Sequence, residues 1–342
     1  MGGTDGDQPA DRRLQGQQGP GHVPRDGHSP CHRWRPRSRL PGPSSGLPDR
    51  FDEDGVVTLD ERYTALRETI REYGSCVIAY SGGVDSVFLA RVAHEVLGDR
   101  ALAVIADSPS LPRRELEDAV AIASDHGIPL RIVRTTEFDD PAYLANPSNR
   151  CYFCKHALFT GLTPIARAEG FAVIVYGENA SDVGDHRPGA AAAAEFAVRA
   201  PLKDCGLTKD DIRRLSARLG LPTADKPQLA CLSSRIPTGE AVTPDKLRQI
   251  EAAENQLRDL GFREVRVRHH ELRSGALARI EVGSEELPRL LEPATATRVA
   301  DHLRSLGYAQ VTVDLLGYRR GSTNGVAPTP IAFRTAPAPA AP

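Results

Sequence analysis

The run Ser81-Gly82-Gly83-Val84-Asp85-Ser86 stands between an apolar strand, Cys76 to Tyr80, and a helical stretch from Val87 to Leu97 that stops at Gly98. Strand, glycine loop and helix in that order form the first unit of an open α/β sheet, and such sheets bind ligands outside the carboxyl ends of their strands. Adjacent glycines let the backbone approach a ligand closely, and the amides at a helix start carry partial positive charge. Together with the Ser81 and Ser86 hydroxyls they suit a phosphate or pyrophosphate. The plainer reading is a tight turn with Ser86 as a cap. Neither GxxxxGK(S/T) nor GxGxxG is present, so a Walker-type NTPase and a Rossmann dehydrogenase are not indicated.

Outward from the loop the alternation continues. Thr58 to Glu61 reads as a capping box opening a helix that runs to Tyr73 and stops at Gly74. After the loop come strand Ala101 to Ala106, helix Pro112 to His126, strand Leu130 to Val133, helix Lys155 to Ala168 and strand Ala172 to Tyr176. Strands separated by helices predict a parallel sheet with helices on both faces. A further helix, Lys209 to Leu219, is capped by Thr208, and the aperiodic run from Pro222 to Thr243 is long enough to expect a function. Beyond it, a helix to Leu260, strands Glu264 to His269 and Ala276 to Val282, a helical stretch Ser284 to Leu306 and a strand Gln310 to Leu315 predict a small α+β unit.

Residues 1 to 50 hold nine Gly and eight Pro but only eight hydrophobic residues, so this segment cannot fold by itself. It also carries eight Arg against five Asp, which leaves the remainder more acidic than the overall net charge of −2. An acidic body argues against extended nucleic-acid binding, which needs many phosphate contacts. The sequence has no long apolar span and no signal-peptide core, so neither membrane insertion nor export is expected and the predicted location is cytoplasmic. The division expected is an extension at 1–57, a nucleotide domain at 58–240, a small α+β substrate or oligomerisation domain at 241–324, and an Ala/Pro tail at 325–342.

Six cysteines are too few for a disulfide scaffold. Cys151-x-x-Cys154 and Cys231 form the candidate set, and three readings stay open. With His156 or His186 they could hold zinc. Alone they could hold a 4Fe-4S cluster with one iron open. Or Cys231 could act as a nucleophile, with the C-x-x-C structural. Cys76 reads as a core residue, Cys205 lies in a polar turn, and Cys31 lies in the extension.

The wording S-G-G-x-D-S resembles the PP-loop of the ATP pyrophosphatases, the adenine nucleotide alpha hydrolase-like superfamily that includes NAD synthetase, GMP synthetase and the tRNA thiolases. That resemblance implies ATP as co-substrate: the loop holds its β- and γ-phosphates while a substrate oxygen attacks the α-phosphate. Ser81, Gly82, Gly83, Asp85 and Ser86 would contact ATP, with Asp107 beside the nucleotide and Mg2+ bridging Asp85 to the phosphates. Further stretches fit one family within it: Asn149-Arg150-Cys151-Tyr152-Phe153-Cys154-Lys155, Gly177 to Asp182 with Arg187-Pro188-Gly189, Ala200-Pro201-Leu202, Asp225-Lys226-Pro227, Cys231 to Pro237 with Gly239, and Ala278-Arg279-Ile280-Glu281. In this order, from about residue 58 to 324, they resemble the ATP-dependent sacrificial sulfur transferase (LarE) family.

The resemblance implies adenylation of a carboxylate of pyridinium-3,5-dicarboxylate mononucleotide and its conversion to a thiocarboxylate, on the way to a nickel-pincer nucleotide. Cys231 matches the sulfur-donating cysteine. All three thiols together resemble the members in which Cys151, Cys154 and Cys231 would ligate a 4Fe-4S cluster whose open iron carries a transferable sulfide. Arg266 and Arg268, alternating on one strand, share a face and can bind the substrate phosphate, with Arg235 as a further candidate. Glu254 and Glu281 match acidic residues near the substrate or a metal. His269 to Gly275 reads as an insertion, with a hairpin turn at His269-His270. The resemblance also implies a homo-oligomer, a hexamer, and leaves the sulfide source unnamed. The rival readings are another PP-loop enzyme, a tRNA thiolase or an NAD/GMP synthetase-like amidotransferase, and a non-catalytic nucleotide-binding protein.

Overall fold

The computed structural model describes residues 57–182, 188–227 and 230–319. The expected terminal extension and tail, His186 and Arg187 therefore lie outside the described residues, Val57 excepted.

Helix α1 (Leu59–Tyr73) opens on the expected capping box and leads into β1 (Cys76–Tyr80) and α2 (Val84–Leu97). Then follow β2 (Ala101–Asp107), α3 (Arg113–Asp125), β3 (Leu130–Arg134), α4 (Pro141–Leu144), α5 (Arg150–Ala168) and β4 (Val173–Tyr176). The four strands are parallel in the order β3-β2-β1-β4. The chain builds outward from β1 through β2 to β3, then crosses back to lay β4 on the other side of β1. The loop after β1 therefore sits at the switch in strand order, where connections diverge to opposite faces and leave a crevice.

All five residues of β1 are buried, and the strand's period of two sends them to two separate cores. Cys76, Ile78 and Tyr80 pack with Leu66, Phe88, Ile122 and Leu215 on the face covered by α1, α2, α3 and α8 (Lys209–Arg218). Val77 and Ala79 pack with Phe159, Leu162 and Ala166 of α5 and with Ala192 of α6 (Pro188–Glu195). Short helix α7 (Pro201–Asp204) adds Leu202 to the first core.

Among its described residues the run 222–243 has one short 3-10 turn, at Leu232–Arg235, and it is anchored. Leu232, Ile236 and Val242 form a third apolar cluster with Tyr143 and with Leu247 and Ile250 of α9 (Pro244–Asp259). The C-terminal unit is a three-stranded sheet, β5 (Val265–Leu272), β6 (Gly275–Val282) and β7 (Gln310–Val313), in the order β5-β6-β7. Its β5–β6 pairing is antiparallel and its β6–β7 pairing parallel. Helices α9, α10 (Leu287–Leu291) and α11 (Pro293–Ser305) close its core around Leu257, Val267, Ile280 and Leu303.

Three expectations are corrected. Helix α5 begins at Arg150, five residues before the expected start. The stretch Cys-Tyr-Phe-Cys lacks a helical apolar period and Asn149 makes no side-chain cap, so nothing local announces the first turn. Strand β5 continues to Leu272, so His269 and His270 are strand residues and the turn falls at Arg273-Ser274. The resulting register sets Arg266 opposite Glu281 and Arg268 opposite Arg279. The stretch from Ser284 to Leu306 is two helices, because Glu292 precedes a proline and is extended, at ψ 131°.

Candidate active site

The glycine loop is shaped by two hydroxyls. The Ser81 amide donates to Ser86 Oγ at 3.1 Å, Ser86 Oγ donates to Gly83 O at 3.0 Å, and the two hydroxyls are 3.1 Å apart. Gly83 is the N-cap of α2 and offers no side chain to cap it, which leaves the helix start open to an anion. Gly82 has φ +71°, and a Cβ there would stand 2.7 Å from that of Ala119, so the loop needs glycine both for its turn and for its approach to α3. Asp85 is not left to oppose a polyphosphate: Lys209 Nζ donates to its Oδ2 at 2.6 Å and Asn179 Nδ2 to its Oδ1 at 3.3 Å. Asp107 binds Arg113, while its neighbours Ala106 and Ser108 face the cavity described next.

A cavity of about 230 Å³ opens over the carboxyl ends of β1, β2 and β3. Ser81 lines it at the loop, and Cys154 and Cys231 face it, as do the cations Lys155, Arg258 and Arg266. Sequence reasoning placed no role on Lys155 or Arg258. Lys155 follows the second cysteine directly in α5, and Arg258 is one helical turn beyond Glu254. Burial draws the Lys155 amine below its ordinary range, outweighing the opposing effect of Cys154 and Cys151.

Cys231 caps the short turn that carries Leu232 to Arg235. The turn is held from three sides. The Leu232 amide donates to Ser110 O at 2.8 Å. Ser110, Tyr143 and Ser233 close a buried ring of hydroxyls, at 2.5, 2.5 and 2.9 Å. Arg150 donates to Ser233 O at 3.0 Å and reaches Cys231 Sγ at 3.8 Å. Arg235, only 1 % exposed, is bidentate on Glu254 at 2.8 and 3.0 Å and also donates to the carbonyls of Ala230 and Cys231. Its guanidinium therefore straps the cysteine loop to α9, even though the side chain borders the cavity.

Glu254 is fully buried and also accepts from Arg258 and from the Val267 amide. Burial alone would raise its pKa, but Arg235, then Arg258 and Arg266, outweigh that and hold it below the ordinary carboxylate value. Arg268 donates twice to Glu281 and once to Ser234 O, so this pair also ties β5 and β6 to the cysteine loop. Of the two strand arginines, Arg266 borders the cavity, with its guanidinium 4.9 Å from the Tyr318 ring centre.

Cys151 is exposed, whereas Cys154 and Cys231 are partly buried. Burial first, then Cys231 and Glu137, push the Cys154 thiol up to about 12. Cys154 and Cys231 line the cavity and Cys151 does not, although Cys151 and Cys231 both act electrostatically on Cys154; as soft donors the three suit iron or zinc in chemistry. As placed, however, no three His, Cys, Asp or Glu side chains among the described residues stand together as a ready metal-holding group. His156 packs instead against the Phe196 ring, 5.1 Å between centres. Cys76 is a fully buried core residue, and Cys205 lies 3.6 Å from Thr69 Oγ1.

A four-stranded parallel sheet with a capless glycine loop at its switch point defines a PP-loop nucleotide-binding protein, and a family model described as NAD synthase matches residues 58–143. An uncharacterised protein of Synechocystis sp. is 43% identical over 268 residues, 78% of this chain and 98% of its own length. The pyridinium-3,5-bisthiocarboxylic acid mononucleotide synthase of Lactiplantibacillus plantarum is 33% identical over 270 residues, 79% of this chain and 96% of that one. A glutamine-hydrolysing GMP synthase chain of Thermococcus kodakarensis is 28% identical over 176 residues, 48% of this chain and 56% of its own. The chain belongs to the family of the pyridinium-3,5-bisthiocarboxylic acid mononucleotide synthase, the LarE family. No helix among the described residues is long and apolar enough to cross a membrane.

Proposed function

We propose that this protein uses ATP to activate a carboxylate of pyridinium-3,5-dicarboxylate mononucleotide and replaces a carboxylate oxygen with sulfur at Cys231, a step in making a nickel-pincer nucleotide. The observation that carries this reading is that Ser81 of the glycine loop and Cys231 line one cavity, together with Lys155, Arg235, Arg258 and Arg266. A carboxylate oxygen would attack the α-phosphorus of ATP while pyrophosphate leaves, its charge met by the α2 start, with Mg2+ riding on the phosphates. Sulfur at Cys231 would then attack the acyl carbon and displace AMP, a far better leaving group than hydroxide. In this reading Lys155 neutralises the adenylate phosphate, and Arg266, with Arg258, holds the substrate's own phosphate.

The sulfur has two sources in this reading. If it is the cysteine's own, the thioester formed must lose the Cα proton and break its Cβ–S bond, leaving dehydroalanine at 231. A 4Fe-4S cluster on Cys151, Cys154 and Cys231 would, when bound, supply a replaceable sulfide and spare the side chain. The GMP synthase relatives support the adenylating class, but the one from Thermococcus kodakarensis matches only about half of this chain, and thiols on the cavity wall favour sulfur as the acceptor's partner over ammonia. Iron and acid-labile sulfide analysis of anaerobically purified protein, followed by mass spectrometry of Cys231 after turnover, separates the two sources. Iron-free, active protein that loses the mass of hydrogen sulfide at Cys231 would refute the cluster.

A further inference from the structure

The far wall of the cavity carries groups that the proposed reaction leaves unused. Glu137 lies in the turn after β3, is 2 % exposed, and its Oε2 has no hydrogen-bond partner. Thr135 Oγ1, two residues earlier, is also buried and unpartnered. Both residues line the same cavity as Ser81 and Cys154. Glu115 on a neighbouring wall also has an unbonded Oε2, but Lys226 Nζ stands 2.7 Å from it. Among the described residues Glu137 has no such counter-charge. Withdrawing a carboxylate oxygen from water without a partner is costly, so the arrangement is explained if a ligand completes it.

The chemistry of the missing partner follows. A carboxylate only accepts hydrogen bonds, so the group it meets must donate. That excludes the phosphates and carboxylates of the reactants from this corner. Its position narrows the choice further. Strand β3 is two places from β1 in the sheet, and strands lie about 4.8 Å apart, so the Glu137 turn is roughly 10 Å across the sheet edge from the glycine loop. That is the scale of a nucleoside measured from its phosphate. The wall between, Ala79, Ile105, Ala106 and Leu158, is apolar and suits a flat ring.

We propose that Glu137, with Thr135, is a subsite for the vicinal hydroxyls of a ribose. The inference rests on the reaction proposed above, whose two reactants, ATP and the pyridinium mononucleotide, each carry such a diol. A carboxylate can accept from both hydroxyls at once, and Thr135 can donate to or accept from either.

The test is calorimetric affinity of the full chain for ATP, 2′-deoxy-ATP, 3′-deoxy-ATP and inosine triphosphate, and for the pyridinium-3,5-dicarboxylate mononucleotide and its 2′-deoxy form. Each is measured in wild type, Glu137→Gln and Glu137→Ala. In one of the two series, loss of a hydroxyl weakens wild-type binding on the order of tenfold and the Glu137→Ala protein less than twofold. The series that shows this coupling identifies whose ribose is bound. Equal ratios in wild type and variants throughout both series overturn the proposal, as does coupling to inosine triphosphate alone, which would put Glu137 on the base amine. Glu137→Gln removes only the charge, so its ligand-free melting midpoint is expected at or above wild type; a clearly lower midpoint marks a structural carboxylate and contradicts the subsite. Wild-type protein that binds ATP but not the mononucleotide would count against the assigned reaction and leave the ATP series to decide on Glu137.

Discussion

At the scale of single residues, the site divides into groups that hold the chamber together and groups that face into it. Cys231 faces in. Cys231→Ser is expected to leave substrate-dependent pyrophosphate release within a few-fold of wild type while thiocarboxylate formation falls to background, because sulfur enters only after adenylation. Equal loss of both would show that the thiol acts before or during the first step. Arg235 holds. Arg235→Ala removes the bidentate partner of the buried Glu254 and leaves it only Arg258 and the Val267 amide, and is expected to cost about 2 to 4 kcal/mol in urea unfolding, whereas a joint apolar replacement of both costs less. Glu254 also sets an acid limit. Its folded pKa lies below the ordinary 4.5, so its stabilising contribution is complete above that pH and is lost in stronger acid as it takes up a proton. His269 acts at milder pH: burial lowers it from 6.5 to about 4, so the unfolded chain binds the extra proton in that window. The urea midpoint should fall from pH 6.5 towards 4, and His269→Gln should flatten part of that slope.

At the scale of elements, the glycine loop works because three elements meet there. Gly82 touches α3, and a Cβ at Gly177 would stand 3.0 Å from the Ser86 amide at the start of α2, so the end of β4 also presses on the loop. Gly82→Ala combines an unfavourable positive φ with a clash and is expected to cost about 1 to 3 kcal/mol of stability and at least tenfold in ATP affinity, read by urea unfolding and calorimetry. Unchanged ATP affinity would place the nucleotide elsewhere. This loop was legible in the sequence because glycine pairs, hydroxyls and a strictly apolar β1 are local signals. The start of α5 was not: its first turn forms through tertiary packing of Phe153 and Cys154 against the Tyr143 and Leu232 cluster, with no cap to mark it. Glu137 was equally illegible, since a carboxylate after a strand reads as solvent-facing until the fold buries it.

At the scale of the whole molecule, the proposed division near residue 240 separates two sheets but not two independent cores. Val242, Leu247 and Ile250 lie beyond it in sequence, yet they pack with Tyr143, Leu232 and Ile236 before it. The Arg235–Glu254 and Arg268–Ser234 contacts span the same junction. Unfolding of the full chain is therefore expected as one transition, with coincident midpoints from far-UV circular dichroism and from a probe on α11. Two resolved transitions would show that the halves are coupled weakly. The sequence motifs pointed to both sheets but could not show this seam, because ion pairs between distant segments leave no local pattern. The central claim is that one chamber both adenylates and thiolates a carboxylate. Its most direct test is pyrophosphate release by the purified protein with ATP, with and without pyridinium-3,5-dicarboxylate mononucleotide, alongside mass analysis of that compound. The account predicts release that requires the mononucleotide, with one of its carboxylate oxygens replaced by sulfur. Release indifferent to the mononucleotide, or a mononucleotide recovered without sulfur from protein carrying an intact sulfur donor, would contradict it.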